Sequence, residues 1–151
     1  MPEVVLAPSA GENGLAIMLA DLLRQNLEAK PHKVADFAAL DARVSIVADD
    51  ADVALTLVFS AGSSGGLTIH DGIVGIPDVT IRGPSDGIIA LSNVPLMTRF
   101  GLPIPNPRDR EAVRTVNELL LLMRTGKLHA YGALLHVPMM MKLTRVMSVN
   151  G

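Results

Sequence analysis

The spacing of apolar residues switches repeatedly along this chain between a helical and a strand period, and that alternation limits the possible folds more than any other feature. From residue 15 to residue 27 a stripe of apolar side chains runs through Leu15, Met18, Leu19, Leu22, Leu23 and Leu27, with Asp21, Arg24, Gln25 and Glu28 on the opposite side. This is the 3.6-residue period of an amphipathic helix, and Pro31 closes it. A weaker helix is expected over Val34–Leu40. From Arg43 the period falls to two: Arg43–Ala48 and Val53–Phe59 are rich in β-branched residues, and Val53, Leu55, Leu57 and Phe59 share one face. The run Asp49-Asp50-Ala51-Asp52 between them is hairpin-turn chemistry.

Strand signals continue to residue 82. Ser63-Ser64-Gly65-Gly66 and Asp71-Gly72 read as turns around a strand at Leu67–His70. In Asp78–Arg82, Val79 and Ile81 point one way, and Gly83-Pro84 ends the strand. Ser85 is a good N-cap for a short helix through Leu91. Residues 93–108 hold Pro95, Pro103, Pro105 and Pro107, which predicts an irregular segment, although Val94, Leu96, Met97, Phe100, Leu102 and Ile104 make it apolar. The helical period then returns. Pro107 and Asp109 mark a start, Val113, Val116, Leu119, Leu120 and Met123 form the expected buried stripe, and Gly126 suits a left-handed cap. A last strand is expected at Lys127–Tyr131. A final helix follows from Pro138, with Met139, Met140, Leu143, Val146 and Met147 inward and Lys142 and Arg145 in solvent. Strands bracketed by helices predict an α+β sandwich with helices on one face of the sheet. Residues 1–10 read as a loose N-terminal arm, and residues 11–150 as a single domain.

Composition narrows the function. The 151 residues are 49% hydrophobic and 19% charged, with a net charge of −2 and no basic excess, which argues against nucleic acid. The absence of cysteine removes disulfides, thiolate metal sites and thiol nucleophiles. No apolar run approaches the ~18–20 residues that a bilayer requires. Glu3 and Glu12 precede the apolar stretch Leu15–Ala20, and the first basic residue is Arg24, which is the wrong charge order for a signal peptide. The expected location is cytoplasmic.

No catalytic constellation is present in the sequence. His32, His70, His129 and His136 lack the spacing of a zinc site, and Asp49, Asp50 and Asp52 lack the glycine and distal glutamate of a calcium loop. Ser63-Ser64-Gly65-Gly66 precedes a strand, whereas a phosphate loop precedes a helix. No metal and no cofactor are expected. The weakest of three functional readings is a small enzyme using His70 and Asp71. The informative feature is apolar: aromatic residues make up 3% while methionine numbers 8, three of them consecutive at Met139-Met140-Met141. Such side chains fill a core, and they also suit a cavity wall that must adapt to a guest.

The segment Gly126-Lys127-Leu128-His129-Ala130-Tyr131-Gly132, leading into Met139-Met140-Met141-Lys142-Leu143, resembles the closing segment of the sterol carrier protein 2 family. Pro77-Asp78-Val79-Thr80-Ile81, followed by the short helix, is similar to another of its strands, and the likeness runs over roughly residues 40–148. This chain departs from the family pattern in a longer Asn93–Thr125 connection and in His129-Ala130-Tyr131. The resemblance implies a five-stranded, mostly antiparallel sheet covered by helices, enclosing an apolar tunnel. It further implies a non-catalytic domain that binds or transfers a fatty-acyl, sterol or prenyl-quinone lipid. The alternative is an accessory or scaffold subunit of a lipid- or ubiquinone-modifying complex. The expected lining is Leu57, Phe59, Ile81, Met97, Phe100, Leu120, Met123, Leu128, Ala130, Met139, Met140, Leu143 and Met147. A hydrophobic lipid is the expected partner. Transient contact with a membrane surface, and a protein partner or second copy, are further expectations.

Overall fold

The change of period is realised as two layers. In this computed structural model the described residues are 3–61, 66–93, 96–99, 102–105, 108 and 110–147. The chain begins with strand β1 (Glu3–Leu6) and a 3₁₀ turn at Pro8–Ala10, followed by helices α1 (Gly14–Ala29) and α2 (Lys33–Ala38). Strands β2 (Ala42–Ala48), β3 (Val53–Ser60), β4 (Gly66–Asp71) and β5 (Val79–Gly83) come next, then helix α3 (Ser85–Asn93). A ribbon of β6 (Leu96–Arg99) and β7 (Leu102–Pro105) leads to α4 (Arg110–Arg124), β8 (His129–Tyr131), a 3₁₀ turn at Ala133–Leu135 and α5 (Val137–Met147).

Among the described residues the main sheet has six strands in the order β1-β4-β3-β2-β5-β8, one more than expected. The additional strand comes from the N-terminal segment read as a loose arm: Glu3–Leu6 pairs in parallel with Gly66–Ile69. Its alternation is only four residues long, too short to stand out in a sequence. The expected hairpin is present, with Val44 opposite Leu57 and Ile46 opposite Leu55. β5 runs parallel to β2, and β8 antiparallel to β5. This register puts Val44, Ile46, Leu55, Leu57, Ile69, Val79 and Ile81 on one face, all at most 8% exposed beneath the helices. The irregular segment expected at 93–108 contains the β6–β7 ribbon instead, while the expected start of α4 at Pro107 and Asp109 lies outside the described residues, as does the Ser63–Gly65 turn.

The connection from β4 to β5 crosses the sheet on the side away from the helices, where Thr56 holds it. The Thr56 hydroxyl donates to the Gly72 carbonyl at 2.7 Å and accepts from the Val74 amide at 3.0 Å. On the helical side, Asn13 joins the layers. Its Oδ1 accepts from the Ala16 amide at 3.1 Å, capping α1, while its Nδ2 donates to the Ala54 carbonyl at 3.0 Å and to Asp71 Oδ1 at 2.8 Å. Replacing a cap by alanine costs ~1 kcal/mol, and Asn13→Ala also strips two acceptors of a donor. We expect a loss of about 2 kcal/mol in urea unfolding. Asn117→Ala, on an exposed turn of α4, should change the midpoint little.

Candidate functional site

Between sheet and helices lies a cavity of about 220 Å³. Ile46, Leu57, Ile81 and Ala130 form its floor, one from each of β2, β3, β5 and β8. Leu19 of α1, Ile88 of α3, Met123 of α4 and Leu128, just before β8, close it, together with Met140, Leu143, Thr144 and Met147 of α5 and the edge of His129. Leu19 and Leu57 are buried at its depth, whereas Met123 is 49% exposed and marks the open side.

Each wall has a local cause. Leu143 of α5 faces inward at 6% exposure, and Met140 and Met147 lie one turn to either side of it. The end of α5 is fixed by Asn26, whose buried Nδ2 donates to the carbonyls of Val146 and Met147, both at 3.0 Å. Arg145, expected in solvent, is half-buried and pairs with Asp36 of α2 at 3.2 Å. Lys142 is half-buried as well. α3 is held by Asp50 from the β2–β3 turn: its Oδ1 accepts from the Ser85 amide at 2.8 Å and from the Ser85 hydroxyl at 2.6 Å. These bonds lower the Asp50 pKa below its ordinary value. The expected cap, Ser85, is therefore itself held from the turn that follows the neighbouring strand β2. Gly126, at φ 75°, ends α4 in the left-handed conformation its sequence position suggests.

The cavity has little polar chemistry. Thr144 donates its hydroxyl to the Met140 carbonyl at 2.7 Å, and His129 Nε2 lies 2.8 Å from the Gly126 carbonyl oxygen. Both polar groups are thus engaged with nearby backbone. A space of this size would take about seven waters at ~30 Å³ each, but a buried water needs two to four polar partners, which this wall does not offer. The site favours an apolar occupant.

Of the residues expected to line it, Leu57, Ile81, Met123, Leu128, Ala130, Met140, Leu143 and Met147 are brought together here. Others are placed elsewhere. Phe59 is buried two residues along β3, edge-on to Phe37 with ring centroids 5.9 Å apart. Leu120 is 57% exposed, and Met139 packs on the core outside the wall. The expected stripe on α4 is shifted: Leu119 is buried and Val116 and Leu122 are half-buried, while Val113, Leu120 and Met123 are exposed. Five consecutive apolar residues, 119–123, erase the periodicity that would have chosen the face. Phe100 lies outside the described residues, and for Met97 the backbone alone is described, in β6. Leu19, Ile46 and Ile88 were not among the expected lining. The first two carried a signal, since Leu19 sits on the apolar stripe of α1 and Ile46 on the inward parity of β2. His70 and Asp71 are neighbours on β4, so their side chains leave on opposite faces.

Lys33 at the start of α2 is 1% exposed, and its pKa is lowered to about 8 by burial, with Lys30 adding repulsion. The unfolded chain then holds more protons than the native one between pH about 8 and the unperturbed value of 10.5. Stability accordingly rises with pH across that window, and the cost of burying the charge is fully present below it. Comparing wild type with Lys33→Met by chemical denaturation should show the wild type gaining relative to the variant between about pH 8 and 10.5. A second stability test concerns the wall. Asn26→Leu leaves two carbonyls at the end of α5 without their donor, and we expect a loss of about 2 kcal/mol in the same assay.

No family model matches the chain, and no curated protein matches it in sequence. Among solved structures it is similar to one described as "UbiJ-SCP2 Ubiquinone synthesis protein". The likeness has a TM-score of 0.53 and 17% identity over 87% of this chain and 90% of the other. The chain therefore has a sterol-carrier-protein-2-like α+β fold.

Proposed function

With that fold as the premise, we propose that this protein binds the apolar part of a lipid in the cavity between its sheet and helices and does no chemistry on it. The observation that carries the reading is a half-open space of about 220 Å³ whose two polar side chains are both engaged with backbone. Its volume also bounds the guest. A dry apolar cavity of ~150 Å³ accepts benzene, so this one accommodates roughly nine carbons. That suits a stretch of acyl or prenyl chain whose remainder emerges past Met123, and it is short of a whole sterol nucleus. The methionines of the wall repack at low cost and tolerate variation in the guest.

Each methylene buried contributes ~0.8 kcal/mol, nearly a fourfold change in Kd. Saturated fatty acids of about six to sixteen carbons, competing with a fluorescent fatty acid, should therefore tighten steeply up to about nine or ten carbons and then level off. Ala130→Phe puts a ring into the cavity from β8 and should abolish uptake while leaving the far-ultraviolet circular dichroism unchanged. The absence of saturable binding across fatty-acyl, sterol and prenyl-quinone ligands would defeat the reading.

A second reading, as an accessory subunit of a lipid- or quinone-modifying assembly, is favoured by one observation: Leu120 and Leu121 of α4 are 57% and 59% exposed. The solved neighbour is itself described as a ubiquinone synthesis protein. A chain that took up no probe, yet lost a bound protein on Leu121→Asp, would favour this role.

A further inference from the structure

Helix α5 presents Met140, Leu143, Thr144 and Met147 to the cavity, the i, i+3, i+4 and i+7 positions of one helix face. Three of these side chains are apolar and one carries a hydroxyl. Leu143 is buried, whereas Thr144 is half-buried like Met140 and Met147 on either side of it, toward the rim. Packing does not require the hydroxyl, because valine has the same branched shape. Its hydrogen goes to the Met140 carbonyl at 2.7 Å, four residues back. Such back-bonding slightly destabilises a helix, so local structure does not require the hydroxyl either. The bond does fix what the oxygen can still do. A hydroxyl has one hydrogen and two acceptor lone pairs. With the hydrogen committed, Oγ1 is left in the wall as an acceptor, and among the described residues no donor reaches it.

We propose that Thr144 determines the specificity of the cavity and that the guest is a lipid alcohol, whose hydroxyl donates to Thr144 Oγ1 while its chain lies against the apolar floor. This rests on the lipid-binding reading and narrows it. Three features of the wall lead to the class. An unused acceptor is satisfied only by a donor, and a buried hydroxyl without a partner is costly. The hydroxyl of a guest is therefore favoured beside Oγ1, whereas an ether oxygen there would set lone pairs against lone pairs. Among the described residues of the wall there is no Lys, Arg, Asp or Glu. A carboxylate or phosphate would enter without a counter-ion and has to remain outside in water. The same residues include no Phe, Tyr or Trp, which suits a flexible aliphatic chain rather than a planar ring system.

The acceptor is also held in position. Asn26 donates to the carbonyls of Val146 and Met147, both at 3.0 Å, and so fixes the turn of α5 that contains Thr144. A few placed polar groups give a mostly apolar pocket its selectivity, and a fixed one needs no reorganisation on binding. A cavity of about 220 Å³ takes roughly nine carbons. An alcohol of about that chain length fills it with the hydroxyl at the rim, beside Thr144.

The test measures displacement of a fluorescent fatty acid by three ligands of one chain length, 1-decanol, its methyl ether and decanoate, at about pH 8, where the acid is ionised. The wild type should bind 1-decanol about fivefold or more tighter than the ether. Thr144→Val keeps the shape and removes the acceptor, so it should bring that ratio to about one by weakening 1-decanol, with the ether and decanoate little changed. Thr144→Ser keeps the hydroxyl and should keep the preference. Each variant is judged by a ratio of ligands, so a general change in packing or stability cancels. Equal binding of 1-decanol and the ether by the wild type would overturn the proposal and leave the cavity reading standing. So would a preference that survives Thr144→Val, or decanoate binding more tightly than 1-decanol. Absence of saturable binding of the fluorescent fatty acid would instead defeat the lipid-binding reading itself, and this proposal with it.

Discussion

Asn26 gives both amide hydrogens of its buried side chain to the last carbonyls of α5, and much of the architecture depends on that arrangement. A helix end leaves carbonyls without intrahelical partners, and a buried end must find donors elsewhere. Asn26 supplies them from α1, so α5 cannot slide or rotate over the sheet without stranding these polar groups. Asn13 does the corresponding work at the other end of α1, capping the helix and reaching β3 and Asp71. α1 is thereby fixed to the sheet at its start and to α5 at its finish. The cavity lies under α5 and takes its shape from this clamp. Its apolar wall contributes burial without direction, whereas the two asparagines specify position.

Parts of this arrangement were legible in the sequence for physical reasons. The β2–β3 hairpin was readable because β-branched alternation on both sides of an aspartate-rich turn has few other solutions, and the inward parity of Leu57 followed from it, as that of Ile81 did from the alternation in Asp78–Arg82. α5 was readable because Leu143 and Val146 keep the helical period. The six-stranded sheet was harder, since β1 consists of four residues whose partner lies beyond residue 65. β7 was obscured by Pro103 and Pro105. Prolines argue against a strand, yet these two are two residues apart, which places both missing amides on the same edge of a two-stranded ribbon. On α4, five consecutive apolar residues carry no directional information, and tertiary packing settled what periodicity did not. Asn13 had a local signal only as the cap of α1; its reach to β3 and Asp71, and the role of Asn26, had none, because those acceptors are 41 to 121 residues away.

The near absence of aromatic rings has a structural counterpart. Phe37 and Phe59 pack edge-on against each other away from the cavity, and the rigid part of the core lies there. The cavity side is built of Leu, Ile, Ala and Met, with Met123, Met140 and Met147 toward its more exposed rim. Rigid rings hold one shape, while thioether chains change rotamer at low cost. The same sheet therefore supports a fixed half and an adaptable half, divided along β3 between Phe59 and Leu57.

The hydrogen bonds between Asn26 and the end of α5 span 120 and 121 residues. Contacts of that separation raise contact order and slow folding, because loop closure must precede their formation. During synthesis, α1 leaves the ribosome long before Val146 and Met147 exist. Until they arrive, the amide of Asn26 has no native acceptor on α5, and the apolar floor at Leu57 and Ile81 lacks the α5 part of its roof. The cavity is thus enclosed only once α5 has been made, and from the synthesis of Leu57 and Ile81 until then this apolar surface lacks that cover.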